Sequence, residues 1–336
     1  MICDRQSFSR YMLLVMSALA LTIASVPRSF ATPINSGDVF LSLTQGKVQH
    51  YDSNLVLLET LTTHGGLINS RELTGMAFDC FGNLYVTIFS DGSVSRFRQS
   101  DGARLEPVFV SSPSTLVPES IVFDASNSAY IGNVAGNSGS GNFGLGKYDS
   151  NGALIASFLP GTRLDWMDLS ADQKTMLFTQ EGQGGTNIKQ LDLSTGNVLM
   201  DLVLNSGLYS VRILPNGDVL ASDRTDIKRF NAMGLLQQTY SIPGYQDFFD
   251  IYLGLNGDSF WAIDIVTQDL LNIDVTSGLV LDSVNANQPT LGVRGVAVAG
   301  GFVAAKAVPE PSTVLLAAFG MFGLCIIRIG QRTSPR

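Results

Sequence analysis

The sequence predicts an all-β fold, a six-bladed β-propeller, and three recurrences in the chain carry that prediction. A short strand with an apolar residue flanked by polar ones appears as VQHYDS from Val48, VSRFRQ from Val94, GKYDS from Gly146, IKQLDL from Ile188, IKRFNA from Ile227 and LLNIDV from Leu270. Each runs into a turn, at Asn54, Gly102, Gly152, Gly196, Gly234 and Gly278, spaced about 44 residues apart, and an alternating strand follows. A third family of strands, GMAFD, SIVFD, WMDLS, SVRIL, DIYLG and GVAVA, begins at Gly75, Ser120, Trp166, Ser210, Asp250 and Gly295. Four antiparallel strands every ~40–45 residues is the period of a propeller blade.

Residues 1–31 precede the repeat. Arg5 and Arg10, an apolar run from Tyr11 to Val26, and Ser29-Phe30-Ala31 form a basic start, an apolar middle and a small-residue cut site. That is the pattern of a secretory signal peptide cut after Ala31. The domain expected next spans residues 32–307. Its first unit starts at GDVFLSL, from Gly37, with a second strand and no first one; the missing strand is RGVAVAG, Arg294 to Gly300. The two chain ends therefore complete one blade between them and close the ring. A surplus strand, Phe302 to Lys306, leaves seven blades as the alternative. Between first and second strands lie FGN, ASNS, ADQK, PNGD and LNGD, turns built from residues that accept positive φ or form Asx turns.

The repeat lacks a Gly-His…Trp-Asp signature and recurrent Gly-Gly doublets, so it is neither a typical WD40 nor a kelch array. With its NGD and SNG turns and six units, the stretch from 37 to 306 resembles the NHL, gluconolactonase and TolB-like propellers. That resemblance implies a fold rather than an activity.

The tail, residues 308–336, has three parts: Pro309-Glu310-Pro311, an apolar run from Val314 to Ile327, and Arg328, Arg332 and Arg336. A stiff spacer, a short hydrophobic helix and a basic stop follow physically. The arrangement closely resembles the PEP-CTERM sorting signal of Gram-negative bacteria. The resemblance implies an exported protein held transiently in the inner membrane, processed by an exosortase at or near Pro-Glu-Pro, and released to the cell surface or an exopolysaccharide matrix.

Six of the 21 basic and two of the 29 acidic residues lie outside 32–307, which leaves 15 against 27 and a domain about 12 units negative. A phosphate backbone is disfavoured as partner, so no nucleic acid is expected. Cys80 is the only thiol between the two end segments; it forms no intramolecular disulfide and is expected to pack as a small buried hydrophobe.

In a propeller, the starts of first strands and the ends of second strands meet around the channel. By alignment these are Thr74, Glu119, Asp165, Tyr209, Asp250 and Arg294, with Ile88, Asn133, Gln180, Asp223 and Asp264. Oxygen ligands converging on an axis could hold Ca²⁺. Gluconolactonase-like propellers bind their metal through Glu, Asn and Asp, and the resemblance carries that role to Glu119, Asn133, Asp223 and Asp264. Asp165, Asp250, Arg294 and Trp166 are candidate channel-face contacts, Trp166 as a stacking surface for a sugar ring should it be exposed. Glycine-rich stretches, Gly132 to Gly146 and Glu181 to Gly185, leave the same face as surface loops. His50 and His64 are the only histidines, and no nucleophile motif accompanies them. The leading reading is a non-catalytic surface protein that binds a polysaccharide or another surface protein. The alternative is a metal-dependent lactonase-like hydrolase with Asp223 or Asp264 as base.

Overall fold

The computed structural model describes residues 31–67, 70–111, 116–135, 143–180, 187–204, 207–289 and 292–304. The expected signal peptide up to residue 30, the tail with Pro309, Glu310 and Pro311, and the glycine-rich segments 136–142 and 181–186 lie outside the described residues. Among the described residues no helix is long and apolar enough to cross a membrane.

Six antiparallel sheets follow one another in the order the repeat requires. Blade 1 holds β1 (Val39–Leu43), β2 (Lys47–Tyr51) and β3 (Leu57–Thr62); blade 2 holds β4 (Leu73–Phe78), β5 (Leu84–Ile88) and β6 (Ser93–Phe97). Blade 3 is β7 (Pro118–Phe123), β8 (Ala129–Asn133), β9 (Phe143–Tyr148) and β10 (Leu154–Pro160). Blade 4 has β11 (Met167–Leu169), β12 (Thr175–Phe178) and β13 (Lys189–Asp192). Blade 5 is β14 (Val211–Ile213), β15 (Val219–Ser222), β16 (Ile227–Phe230) and β17 (Leu236–Tyr240). Blade 6 is β18 (Phe248–Leu253), β19 (Ser259–Asp264), β20 (Asp269–Asp274) and β21 (Val280–Asn285). The last strand, β22 (Val293–Val298), returns to pair with β1, Val296 opposite Leu41 and Val298 opposite Val39. Chain closure is as the sequence predicts.

In blades 2 and 4 the fourth strand shrinks to isolated bridges, Val94 to Val110 and Phe97 to Arg104, then Ile188 to Val203 and Leu191 to Val198. Pro107 lies in the first of these stretches and has no N–H to give a ladder. Of the surplus strand only Phe302 to Ala304 are among the described residues; they form no strand, and the ring has six blades.

Burial falls from the axis outward. Every residue of β4 and β7 is buried, whereas β3 and β21 are largely exposed. Inner strands are covered on both faces by neighbouring blades, and the apolar clusters accordingly straddle blade junctions; Tyr85, Ile121 and Phe123 join blades 2 and 3 in one of them.

Polar side chains link all six junctions as well. Ser42 Oγ donates to Thr74 O (2.7 Å), Thr74 Oγ1 to Pro118 O (3.1 Å) and Ser120 Oγ to Asp165 O (2.5 Å). Thr179 Oγ1 donates to Tyr209 O, and Ser210 Oγ to Asp250 Oδ1 (2.8 Å). Asp250 Oδ2 accepts the Val296 amide (3.0 Å), which carries the series from blade 6 back to blade 1. Ser42, Thr74, Ser120, Thr179, Ser210 and Asp250 are all buried, so each bond replaces a desolvated, unsatisfied group.

Close approach between blades explains two inner-strand glycines. A Cβ at Gly75 would lie 2.5 Å from Glu119 O, and one at Gly295 would lie 2.3 Å from Thr74 O. Register shifts beside this level, between Leu73 and Met76, Pro118 and Ile121, and Phe248 and Asp250, put bulges where inner strands begin.

Both chain ends of the ring lie on the side of the hairpin turns. Ile34 N–H donates to Gln99 O (2.8 Å) beside a turn of blade 2, and Phe302 N–H to Gly254 O (2.9 Å) beside a turn of blade 6. Phe302 and Val303 then cross that mouth of the channel, against Phe78, Phe123 and Tyr252.

Candidate functional site

The opposite mouth is built from the residues that lead into the inner strands: Thr74, Glu119, Asp165, Tyr209, Phe249 and Arg294. Asp250 belongs one step deeper. The pairing of Phe248 with Asp264 and of Asp250 with Ile263 puts Phe249 at the bulge, and the sequence alignment missed that shift. Fully buried Asp250 accepts from Ser210, Ile251 and Val296 and lies 3.4 Å from Arg212 Nη2.

Arg163, on the connection from β10 to β11, joins two of the expected acids. Its Nε lies 2.6 and 2.8 Å from the oxygens of Asp165, and its Nη2 lies 3.9 Å from Glu119 Oε2. Gln180 fixes the same segment by donating to Arg163 O (2.7 Å). Across the mouth, Arg224 Nε donates to Tyr209 Oη (2.7 Å), its guanidinium lies 5.7 Å from the Tyr209 ring centroid, and Nη1 is 3.8 Å from Asp247 Oδ2. Burial, eased by Arg224 and reinforced by the charge of Asp264, raises the Asp247 carboxyl above its usual range. Arg294 pairs with Glu72.

Trp166 is only 1% exposed and presents no stacking surface to solvent. It meets Phe249 edge to face, ring centroids 5.6 Å apart, and its Nε1 is buried without a hydrogen-bond partner. The half-buried rings Phe249 and Tyr209, 5.9 Å apart, supply the aromatic surface instead.

Of the four residues aligned as metal ligands, Glu119 faces Arg163 and the other three serve their own blades. Asn133 Oδ1 accepts from the Val117 (2.9 Å) and Ala135 (3.1 Å) amides. Asp264 accepts from the amides of Gln246, Asp247, Val266 and Thr267, at 2.6 to 2.9 Å. Burial pushes the Asp264 carboxyl up, but those bonds outweigh it and hold the group below its ordinary range. Asp223 pairs with Lys228 and caps the amides of Thr225 and Asp226; burial again opposes, and the net direction is down. Among the described residues no three His, Cys, Asp or Glu side chains gather in a metal-holding group.

Deeper in the channel, Arg212 Nη1 donates to Val211 O (2.8 Å), and its guanidinium lies 5.3 Å from the Tyr252 ring centroid. Burial raises the carboxyls of Asp168 and Asp250 despite Arg212 between them, and pushes the Tyr252 hydroxyl up to about 12. Asp168 Oδ2 accepts the Ile213 amide (2.8 Å), so this cluster fastens blade 4 to blade 5.

Cys80 is exposed, at the turn after β4, where its amide donates to Asn127 Oδ1 (2.8 Å); it is not the buried hydrophobe expected. His50 is buried in blade 1, and His64 is partly exposed, 3.5 Å from Glu106. Sequence reading missed Arg163, Arg224, Asp247 and Phe249. Only Phe249 had a signal, its position directly before the recurrent DIYLG strand.

Residues 307–328 match the PEP-CTERM protein-sorting motif. The chain is a six-bladed β-propeller carrying a PEP-CTERM sorting motif. No curated protein sequence is significantly similar to it. Solved structures of similar shape include a nidogen/laminin complex, with TM-score 0.61 at 14% identity, covering 79% of this chain and 100% of that one. A protein of unknown function from Bacteroides caccae gives 0.60 at 13% identity, over 78% and 98% of the two chains. A streptogramin B lyase gives 0.55 at 14%, over 81% and 88%. At such identities the likeness is one of fold.

Proposed function

We propose that the protein is an exported, surface-directed binding protein whose strand-start mouth takes a neutral extracellular polysaccharide. The juxtaposition of Tyr209 and Phe249 with Arg224, Asp247 and the Arg163 carboxylate pair carries this reading. Sugar rings offer an apolar face to aromatic side chains and hydroxyls to charged, planar hydrogen-bonding groups. The domain's negative charge disfavours acidic polymers.

The sorting motif implies exosortase-dependent processing, here assigned to Pro309-Glu310-Pro311 after transient anchorage in the inner membrane. The chain leaves the ring through Phe302 to Ala304, on the turn side. A tail held in a membrane from there turns the strand-start mouth outward, toward the matrix.

The test is affinity electrophoresis of the mature protein through gels containing neutral polysaccharides. Retardation is expected, with at least a several-fold weaker effect for Tyr209→Ala combined with Arg224→Ala. Unchanged mobility in every polymer would remove the glycan reading. Mass spectrometry of the surface form is expected to find a C-terminus near Pro309 to Pro311. The lactonase-like alternative requires a bound cation such as Ca²⁺ to stabilise the ring. EDTA is expected to leave the melting temperature unchanged to within about 1 °C; a drop of several degrees, reversed by Ca²⁺, would revive it.

A further inference from the structure

Thr32, the residue that follows the expected signal-peptide cut, is already bound. Its backbone N–H donates to Glu59 Oε1 at 2.6 Å. Glu59 projects from β3 with its side chain 20% exposed, and the same oxygen lies 3.3 Å from His50 Nδ1. His50 is completely buried, stacked on Phe40 with ring centroids 4.3 Å apart, and its Nε2 lies 2.9 Å from Asp38 Oδ2. That Asp38 oxygen also accepts the Asn35 amide (2.7 Å). Asp38, His50 and Glu59 thus form a row that begins and ends on the segment just behind Ala31.

The segment cannot drift from this row. Ile34 is buried in the cluster that joins blades 1, 2 and 6, and Gln99 grips its backbone from both sides, accepting its N–H (2.8 Å) and donating Nε2 to its carbonyl (2.6 Å). Gly102 lies so close that a Cβ there would approach Thr32 O to 2.5 Å.

We propose that cleavage between Ala31 and Thr32 creates a structural ion pair: the new α-ammonium of Thr32 with the Glu59 carboxylate. Hydrolysis adds one water, leaving a carboxylate on Ala31 and an amine on Thr32 that takes up a proton. A one-donor contact charged only on the acceptor becomes an ion pair with three donors, at a partly buried site. Maturation then fastens the chain start to the outermost strand of the blade that closes the ring. The inference rests on the export half of the function proposed above and not on its ligand.

Two measurements test it. N-terminal sequencing of the exported full-length protein is expected to start at Thr32. An intact Met1 or a cut elsewhere would sink only this inference, whereas recovery of the protein in the cytoplasm alone would sink export itself. Mature chains 32–336 and 31–336, purified in detergent, are then melted with Glu59 and with Glu59→Gln, whose amide oxygen still accepts the Thr32 N–H. The chain starting at Thr32 is expected to melt roughly 2–4 °C above the one starting at Ala31, with the difference gone in E59Q. Equal melting of the two wild-type chains, or a difference that persists in E59Q, would overturn the ion pair. Amine-reactive labelling of the native protein provides a check without mutation: the Thr32 amine should label several-fold more slowly than in the denatured chain, and equal rates would overturn the proposal.

Discussion

Ser210 shows what a single hydroxyl does in this ring. It is buried in blade 5, donates to Asp250 of blade 6 at 2.8 Å, and the Ser222 hydroxyl accepts its own amide at 3.1 Å. Ser210→Ala removes the bond and leaves a desolvated carboxylate one donor short. We expect a loss of about 1–2 kcal/mol in urea unfolding, with the slope unchanged because the surface exposed on unfolding is the same. A neutral result would mean that Arg212 and the Ile251 amide already satisfy Asp250. In the sequence, Ser210 is one polar residue among many on short strands; its partner is 40 residues away and becomes visible only in the folded ring.

At the scale of elements, the turns account for much of the acidic surplus. Asp52 accepts from the amides of Asn54 and Val56, and Asp149 from those of Asn151 and Ala153. Asp192 and Asp274 cap their turns through Ser194 and Ser277. Hydrogen bonds, led by those from Val56, Ala153, Ser194 and Ser277, hold these four carboxyls below the ordinary range. A carboxyl with a depressed folded value stabilises the fold above its unfolded pKa, about 3.9, and that stability is lost as pH falls through the folded value. Asp168 and Asp250, raised by burial, act in the opposite sense: their contribution is present below the unfolded value and lost as pH rises through the folded one. Because the lowered carboxyls outnumber the raised ones, the melting temperature followed by circular dichroism should hold between about pH 7 and 5 and fall below about pH 4. A melting temperature that climbs steadily toward pH 3 would show that the buried acids dominate.

The whole molecule depends on one seam. β22 meets β1 through Val296 and Val298, and it also packs on blade 2, where Gly295 stands against the Thr74 carbonyl. Gly295→Ala must push blades 1 and 2 apart. Its cost should reach about 1–3 kcal/mol, read as a lower urea midpoint, and protease cleavage should rise first in the segment after Val298. If the alanine is tolerated, the junction is looser than its 2.3 Å clearance indicates.

Blade number, closure by the two chain ends, turn positions and the sorting tail were legible in the sequence, because each rests on local chemistry. Alternation of period two, residues that accept positive φ, and an uninterrupted apolar run ending in arginines all act over a few neighbours. Tertiary structure alone decided which side chains meet across the axis. The bulge before Asp250 exchanged it for Phe249 at the mouth, Trp166 went inward while Cys80 stayed outside, and Phe302 crossed the channel instead of adding a strand. A one-residue register shift changes which face a side chain takes, and the packing of six blades around one axis sets that register.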